Sequence, residues 1–344
     1  MNAHSGSSLD IPVPLVTLEH AAAIAAEHFG LHGEVVKLGG ERDSNFRITE
    51  RDGTPWILKV GHPAESEGMA DLQRTVLDRI ATADPALPVP RARRASDGGA
   101  EVLWSPPNAH EGSPRSRVGV YSYLPGIPLR EAKASTTLRE QLGGMLGRLD
   151  RALAGLQHPF ADHNLIWNAS RVAEIRDLVD PADAVVRTAL DHVATHLPQQ
   201  LDGVRRQVLH NDANPYNILA EGDGSAILGI IDFGDVIEAP VSQEVATAAA
   251  YQLADADGID ALLDLVRGYQ QEHPLAPEEL ATLYDLTVAR LVLVVVITGW
   301  RAEQHPLNRD YILRNHRRAR LGLERAMSIP CAEATARLLE EGAR

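Results

Sequence analysis

The segment from Val208 to Asp235 limits the possible fold and chemistry of this chain more than any other segment. Two apolar pairs, Val208-Leu209 and Ile218-Leu219, predict short strands on either side of a polar loop. That loop contains Asp212 and Asn217, which are five positions apart. A carboxylate and a carboxamide held between two buried strands predict a binding or catalytic loop on a rigid support.

A third apolar strand, Ala226 to Ile231, is predicted to end at Asp232. His210 completes the pattern H-x-D-x-x-x-x-N, and Asp232 begins the tripeptide Asp-Phe-Gly. Asp212 is the candidate to accept a proton from a hydroxyl group, whereas Asn217 and Asp232 are candidates to bind Mg²⁺ beside the phosphates of a nucleotide. Either half alone is ordinary turn chemistry, but the two halves in this order favour a phosphoryl-transfer site.

Composition, at 44% hydrophobic and 23% charged residues, predicts an ordinary soluble protein, and a length of 344 residues fits two or three domains, with a two-lobed protein as the natural expectation. The net charge of −14 argues against nucleic acid or an anionic membrane as a partner. A single cysteine, Cys331, excludes an internal disulfide and fits a reducing compartment, so we expect a cytoplasmic protein. Met1 to Asp10 carries no secretory pattern, and the first 13 residues are expected to form a loose tail. The apolar run Leu291 to Ile297 is too short to span a bilayer and predicts a buried helix.

The first sixty residues predict a helix followed by three antiparallel strands. Thr17 is a candidate cap for a helix from Leu18 to Phe29. Strands are predicted at Val35–Leu38, Asn45–Ile48 and Pro55–Val60, separated by polar or glycine-containing turns.

Two features of these strands are candidates to contact a nucleotide. In the turn from Gly39 to Ser44, Gly39 and Gly40 would let backbone N–H groups approach phosphates, although a pair of glycines is often only a hairpin. Lys59 lies on the third strand, where a solvated edge residue is the ordinary interpretation. Its position after the glycine turn, together with the later Asp-Phe-Gly segment, favours phosphate binding.

The strand that begins at Val118 is stopped by Pro125-Gly126, which predicts a change of domain. We therefore predict an N-terminal lobe of residues 1–121, a hinge at residues 122–127 and a C-terminal lobe of residues 128–344. Backbone groups of Tyr123 and Leu124 in that hinge are candidates to bind a nucleobase edge.

After residue 128 the pattern is mostly helical, with apolar residues at helical spacing. His192 and His196 are four residues apart on one predicted helix, but no third ligand lies near them in sequence, so a solvated face is favoured over a metal pair. The predicted helix 309–327 is rich in arginine, which favours a solvated amphipathic face over a phosphate site. Its arginines are Arg314, Arg317, Arg318, Arg320 and Arg325.

Three segments make the chain resemble a known family: Lys59, the loop from His210 to Asn217, and Ile231-Asp-Phe-Gly-Asp235. They resemble the aminoglycoside phosphotransferase and choline kinase superfamily. Within it, Gly40 to Phe46 and His210 to Asn214 are most similar to hydroxylysine kinases and to phosphotransferase domains fused to some aminotransferases.

This resemblance implies an α+β, protein-kinase-like fold with a small β-rich lobe and a larger helical lobe. It implies that Asp212 activates the acceptor hydroxyl, that Asn217 and Asp232 bind Mg²⁺, and that Lys59 and the turn from Gly39 to Ser44 hold the phosphates of ATP or GTP. It also implies that Glu244 supports the catalytic loop.

In kinases a helical glutamate anchors the lysine, but the expected position here holds Gln73. Asp71 and Glu67 are nearby alternatives, so the partner of Lys59 stays open.

The acceptor is expected to be a small hydroxylated amine or amino acid. Asp235 is a candidate to pair with an ammonium group, Asn214 lies in the same region, and Trp300 is a candidate cation–π face. A turn, or a position just outside the ligands of the metal, is the alternative role of Asp235, and a core position is the alternative for Trp300. An antibiotic phosphotransferase and a nucleotide-binding pseudokinase are the alternative functions.

Overall fold

The computed structural model describes residues 15–40, 43–107, 109–110, 112–255 and 257–344. The chain forms two compact units. The N-terminal unit contains the residues up to Ala81 and Val89–Pro125, and the C-terminal unit contains Thr82–Pro88 and Gly126–Arg344. The boundary after Pro125 falls inside the predicted hinge 122–127, whereas the membership of Thr82–Pro88 in the C-terminal unit was not anticipated. The expected tail lies outside the described residues.

The N-terminal unit consists of two helices and an antiparallel sheet with the order β1-β2-β3-β6-β4, in which β5 also pairs with β6. The helices are α1 (Leu18–Phe29) and α2 (Glu67–Ala83). The strands are β1 (Gly33–Lys37), β2 (Ser44–Glu50), β3 (Pro55–Val60), β4 (Ala92–Arg93), β5 (Val102–Trp104) and β6 (Ser116–Ser122).

Helix α1 has the capping residues that its sequence predicts. The Thr17 side chain accepts a hydrogen bond from the backbone N–H of His20, and Gly30 ends the helix in the left-handed conformation at φ 64°. Its apolar face contributes Ile24 and Phe29 to a buried core with the alternating residues of the central strands, such as Phe46 and Leu58. Alternation in β2 and β3 therefore fixes which face of the sheet α1 covers.

The C-terminal unit contains five short strands and eight α-helices among its described residues. The sheets have the orders β10-β9-β7 and β11-β8. The strands are β7 (Ile127–Pro128), β8 (Arg206–Leu209), β9 (Ile218–Ala220), β10 (Ile227–Ile230) and β11 (Ile237–Pro240). The helices are α3 (Thr136–Leu153), α4 (Ala184–Gln200), α5 (Ser242–Ala250), α6 (Ile259–Glu272), α7 (Pro277–Gln304), α8 (Arg309–Ile312), α9 (His316–Ser328) and α10 (Cys331–Gly342).

Helix α7 is the centre of the C-terminal unit. It packs against α4, α5, α9 and α10, and it is long and apolar enough, by length and composition alone, to cross a membrane. However, 94% of its most apolar window is buried inside the protein, which is typical of a core helix. The run from Leu291 to Ile297 is buried throughout, so the predicted buried helix is confirmed.

The predicted helix 309–327 is interrupted. A 3₁₀ turn at Leu313–Asn315 separates α8 from α9. Arg314 lies within this turn.

Candidate active site

The catalytic loop, defined here as residues 210–217, connects β8 to β9 and is held by the start of α5. The Glu244 carboxylate accepts a hydrogen bond of 2.9 Å from the backbone N–H of Asn211. The Gln243 amide donates to Asn211 Oδ1 at 2.8 Å. Asn211 has a φ of 65°, an uncommon conformation for a residue other than glycine, and these bonds hold it there. The predicted support of the loop by Glu244 is confirmed.

His210 connects the catalytic loop to the strand that precedes Asp232. Its Nδ1 accepts the backbone N–H of Asp212 at 3.2 Å, so Nε2 carries the proton and donates to the carbonyl oxygen of Ile231 at 3.2 Å. The ring packs edge-on against Phe233, with a centroid separation of 4.6 Å. Burial lowers the pKa of His210, which keeps the imidazole neutral and preserves this tautomer.

The Asp212 carboxylate accepts three side-chain hydrogen bonds. Arg290 Nη2 donates to Oδ1 at 2.9 Å, while Asn214 Nδ2 and Asn217 Nδ2 donate to Oδ2 at 3.0 and 2.6 Å. Burial raises the pKa of Asp212 to about 6, and the positive charge of Arg290 opposes that rise. A carboxylate with this pKa is ionised at neutral pH and basic enough to accept a proton during a reaction.

Asn217 and Asp232 present the oxygen atoms that a hard divalent cation prefers. The side-chain amide nitrogen of Asn217 donates to Asp212, so the side-chain oxygen Oδ1 of Asn217 is not used in that bond. The backbone carbonyl oxygen of Asn217 accepts the backbone N–H of Ile231 at 2.9 Å. Asp232 follows Ile231, is exposed, and has a φ of 67° with its carboxylate accepting the N–H of Gly234. The negative charge of Asp232 acts on Asp212. An amide oxygen and an exposed carboxylate on adjacent, hydrogen-bonded segments fit a magnesium site.

Arg290 is the principal residue that sequence reasoning missed. It lies on α7, is only 2% exposed, and contacts the carbonyl oxygen of Trp167 at 3.1 Å and the hydroxyl of Tyr251 at 3.4 Å. Its guanidinium also lies 5.4 Å from the centroid of the Trp167 ring. The sequence carried one signal for this residue: Arg290 directly precedes the apolar run of a predicted buried helix. A buried arginine requires an acidic partner, and here that partner is Asp212.

Arg314 corrects the prediction of a solvated arginine face. Its guanidinium lies 4.2 Å from the ring centroids of both Tyr216, in the catalytic loop, and Tyr311. Its positive charge acts on Asp212. Among the residues that the structure describes, no carboxylate forms an ion pair with Arg314. Its planar group is therefore positioned by aromatic stacking, with N–H donors still available.

Three further members of that arginine group are engaged rather than solvated. Arg318 pairs with Asp255, Arg320 pairs with Asp183, and Arg325 donates to the carbonyl oxygen of Leu253. Arg317 is exposed, as predicted.

The predicted substrate residues lie at different places in the C-terminal unit. Asn214 contacts the Asp212 carboxylate directly. Asp235 is half-buried, and its charge acts on Arg290 and Tyr251. Trp300 is half-buried on α7, ten residues after Arg290 and therefore about 15 Å farther along the helix axis.

In the N-terminal unit, Lys59 forms an ion pair with Asp43, with Nζ 2.9 Å from Oδ2. The other Asp43 oxygen accepts the backbone N–H of His62 at 2.9 Å. Asp43 immediately precedes β2, which pairs with β3 so that Asn45 lies opposite Lys59. The partner is thus a residue of the adjoining turn, which the three sequence candidates did not include.

Each of those three candidates has another partner. Gln73 donates to Glu65 at 2.9 Å, Asp71 pairs with Arg74, and Glu67 lies 3.8 Å from Arg117.

The predicted phosphate turn is described in part. Gly39 is exposed, Ser44 is buried at the start of β2, and a side chain at Gly40 would collide with the carbonyl oxygen of Asp43. Gly40 is therefore required by a close backbone approach. Glu41 and Arg42 lie outside the described residues.

Tyr123 and Leu124 directly follow β6 and are half-buried, at the end of the N-terminal unit.

A cavity of about 140 Å³ lies beside the catalytic loop within the C-terminal unit. Its lining includes Pro215 of the loop, Tyr251, and the polar groups Arg130, Asp255 and Arg318. This is a small space of mixed charge, and one of its lining residues, Tyr251, contacts Arg290.

The fold and the Asp212 site together define a phosphotransferase with a protein-kinase-like architecture. Residues 34–281, well over half of the chain, match the phosphotransferase enzyme family, and the protein belongs to that family. This confirms the resemblance seen in the sequence, including its α+β kinase-like fold.

Curated relatives and solved structures are also similar to this chain. Hydroxylysine kinases from Danio rerio and Mus musculus are each 25% identical to this chain, over 86% and 87% of its length and 87% and 86% of theirs. A structure of amicoumacin kinase in complex with AMP-PNP and Ca²⁺ is similar with a TM-score of 0.65 and 17% identity, covering 90% of this chain and 93% of that one. A microcompartment-associated aminopropanol kinase gives a TM-score of 0.64 at 18% identity, covering 93% and 97%.

Proposed function

We propose that this protein is a Mg²⁺-dependent kinase that transfers the γ-phosphoryl group of ATP or GTP to a hydroxyl of a small, hydroxylysine-like amino acid. The observation that carries the proposal is the environment of Asp212, a candidate general base that accepts hydrogen bonds from Asn217 and Arg290 and lies in the positive field of Arg314.

Asp212 would orient the acceptor hydroxyl and accept its proton as the acceptor oxygen bonds to the γ-phosphorus. The bond from that phosphorus to the bridging oxygen then breaks, and the nucleoside diphosphate leaves with the electron pair. Arg290 and the two asparagine amides hold the Asp212 carboxylate in one orientation. Asn217 and Asp232 would hold Mg²⁺, which supplies charge neutralisation at the phosphates when it is bound.

Lys59 and the turn around Gly40 are the proposed contacts for the phosphates, and the backbone of Tyr123 and Leu124 is the proposed contact for the base. The similarity to amicoumacin kinase, whose structure contains AMP-PNP and Ca²⁺, supports a nucleotide and a divalent cation as ligands of this fold.

The charge around Asp212 favours an amino acid as the acceptor. Arg314 has N–H donors available and lies against the catalytic loop, where it would bind a substrate carboxylate. Asp235 would pair with an ammonium group. The hydroxylysine kinases among the relatives support the same class of acceptor.

An aminoglycoside is a weaker candidate because a polycation requires several carboxylates around the acceptor hydroxyl. Here Asp212 is flanked by the cations Arg290 and Arg314 instead. A pseudokinase is disfavoured because the chain contains all three side chains that phosphoryl transfer requires: the carboxylate of Asp212, the amide of Asn217 and the carboxylate of Asp232.

Release of nucleoside diphosphate should therefore depend on an added hydroxy amino acid. The assay measures nucleoside diphosphate release with ATP and with GTP for three groups of acceptors. These are hydroxy amino acids, the corresponding amino alcohols that lack the carboxylate, and aminoglycosides. The Arg314→Met variant should raise KM for the amino acid and leave KM for the amino alcohol almost unchanged. Turnover of aminoglycosides alone, or of no acceptor, would contradict the proposal.

Replacing Asp212 by Asn should lower kcat by roughly 10²–10⁴ while nucleotide affinity stays nearly intact. Steady-state kinetics and nucleotide titration measure the two quantities separately. A variant with wild-type turnover would exclude Asp212 as the general base.

A further inference from the structure

A second cluster of ligand-type side chains lies in the C-terminal unit, where α4, α7 and α10 meet. It consists of His192 on α4, Asp285 on α7 and Cys331, the first residue of α10. One ligand atom from each residue lies within 4.8 Å of the other two. The sequence suggested a solvated face for His192, but its ring contacts a buried carboxylate instead.

From this convergence we propose that His192, Asp285 and Cys331 form a zinc site. Imidazole nitrogen, carboxylate oxygen and thiolate sulfur are the three donor types that Zn²⁺ uses in proteins. Mg²⁺ and Ca²⁺ prefer oxygen donors alone, so this cluster selects a different ion from the one proposed at Asp232. The His192 side chain is 31% exposed, which leaves a route for the ion and a fourth position for water.

The present hydrogen bonds already bring the donor atoms together around one oxygen. His192 Nε2 lies 3.0 Å from Asp285 Oδ1, and Cys331 Sγ donates to the same oxygen at 3.2 Å. A zinc ion would replace these two protons: the imidazole would carry its proton on Nδ1, and the thiol proton would be released to solvent. The ion would then bond to Nε2, Sγ and the carboxylate.

The carboxylate is held in place for this role. Asp285 is 1% exposed, and its second oxygen, Oδ2, accepts a hydrogen bond of 2.8 Å from the Gln200 side chain. Such an outer hydrogen bond fixes the orientation of a metal ligand. A buried carboxylate whose outer oxygen is already satisfied leaves Oδ1 for the ion.

The site is separate from the catalytic residues, although both use α7. Asp285 and Arg290 are five residues apart, about 7.5 Å along the axis and on different faces of the helix. Zinc here would link α10 to α7, on which it packs, and to α4, and would therefore stabilise the C-terminal unit rather than take part in phosphoryl transfer.

The direct experiment is a titration of the full-length, EDTA-treated and dialysed protein with Zn²⁺ alone, followed by calorimetry and by metal analysis after dialysis. We expect a single ion per chain. The Cys331→Ser and His192→Gln variants should each lose about tenfold or more in affinity. His196→Gln is the matched control, because His196 lies one turn away on the same helix, packs against the His192 ring at 4.5 Å, and is not part of the cluster.

Two further readouts distinguish this site from the proposed magnesium site. Co²⁺ should give a near-ultraviolet thiolate charge-transfer band in the wild type and in Asp232→Asn, but not in Cys331→Ser. Zn²⁺ should raise the melting temperature of the wild type and His196→Gln, and not that of Cys331→Ser. Circular dichroism checks that each variant is folded. Absence of zinc binding by the wild type, or zinc affinity in Cys331→Ser and His192→Gln equal to that of the wild type, would overturn the proposal whatever the outcome of the kinase assays.

Discussion

At the scale of single residues, Arg290 sets the charge environment of the candidate base. Its positive charge opposes the burial that raises the pKa of Asp212 to about 6. Since a general base acts when ionised, kcat should rise with pH through the pKa of Asp212. Replacing Arg290 by Met should raise that pKa further and move the acidic limb of the pH profile to higher pH.

Arg290→Lys is the matched control for this experiment, because it keeps the charge while losing the forked geometry. Its acidic limb should stay near that of the wild type even if kcat falls. Profiles of kcat against pH for the three proteins make the comparison, with circular dichroism as the check on folding. An unchanged limb in Arg290→Met would mean that another group titrates.

Residues close in sequence were predictable at this site, whereas residues brought in by the helices were not. The order of Asp212, Asn217 and Asp232 along neighbouring strands indicates their shared location. Arg290 reaches Asp212 across 78 positions, and its contact depends on the direction in which α7 crosses the loop. Arg314 was assigned to a solvated face because its arginine-rich segment was interpreted as amphipathic, and its stacking on Tyr216 and Tyr311 depends on tertiary packing that helical periodicity does not reveal.

At the scale of secondary structure elements, the contact between α3 and α6 depends on glycine. A Cβ atom at Gly143 would collide with the backbone oxygen of Leu265, and one at Gly268 would collide with the backbone oxygen of Glu140. Gly143→Ala must therefore separate the helices and should destabilise the protein by about 1–3 kcal/mol or more. Chemical denaturation measures the free energy of unfolding.

Gly144→Ala, one residue later on the same helix, is the control. A Cβ there has only ordinary contacts, the nearest at 3.7 Å from the backbone oxygen of Gly268. Because alanine favours helix over glycine, this variant should be more stable by roughly 0.5–1 kcal/mol. Equal effects of the two substitutions would show that helix propensity, and not the close approach, decides stability at this contact.

Predicted and observed elements agree where local periodicity decides them. The three predicted strands of the first sixty residues overlap β1, β2 and β3, and the predicted Thr17 cap is present. The ion pair of Lys59 with Asp43 was not foreseen because a turn residue, rather than α2, supplies the carboxylate. Alternation along a strand says which face a side chain occupies, but it does not say which turn lies beside that face.

At the scale of the whole molecule, the chain leaves its N-terminal unit for seven residues, Thr82–Pro88, and then returns. Within the C-terminal unit these residues make specific contacts. Both Asp84 oxygens accept hydrogen bonds from Arg148 of α3, at 2.9 and 2.8 Å, and the Pro88 carbonyl accepts the N–H of Ile230 at 3.1 Å. A paired, forked contact of this kind is among the stronger surface ion pairs. A segment of seven residues is too short for hydrophobic periodicity to predict that it belongs to the C-terminal unit.

Replacing Asp84 by Asn should therefore loosen the C-terminal unit, even though Asp84 lies between two segments of the N-terminal unit in sequence. Amide hydrogen exchange should become faster in peptides from α3 and β10, and it should stay unchanged in β2 and β3, because local stability follows contacts rather than sequence position. Glu34→Gln, the same loss of charge at an exposed position of β1, controls for net charge and should leave α3 unaffected. If exchange in β2 and β3 accelerates as much as in α3, Asp84 stabilises the molecule through its N-terminal neighbours and the assignment of Thr82–Pro88 to the C-terminal unit is wrong.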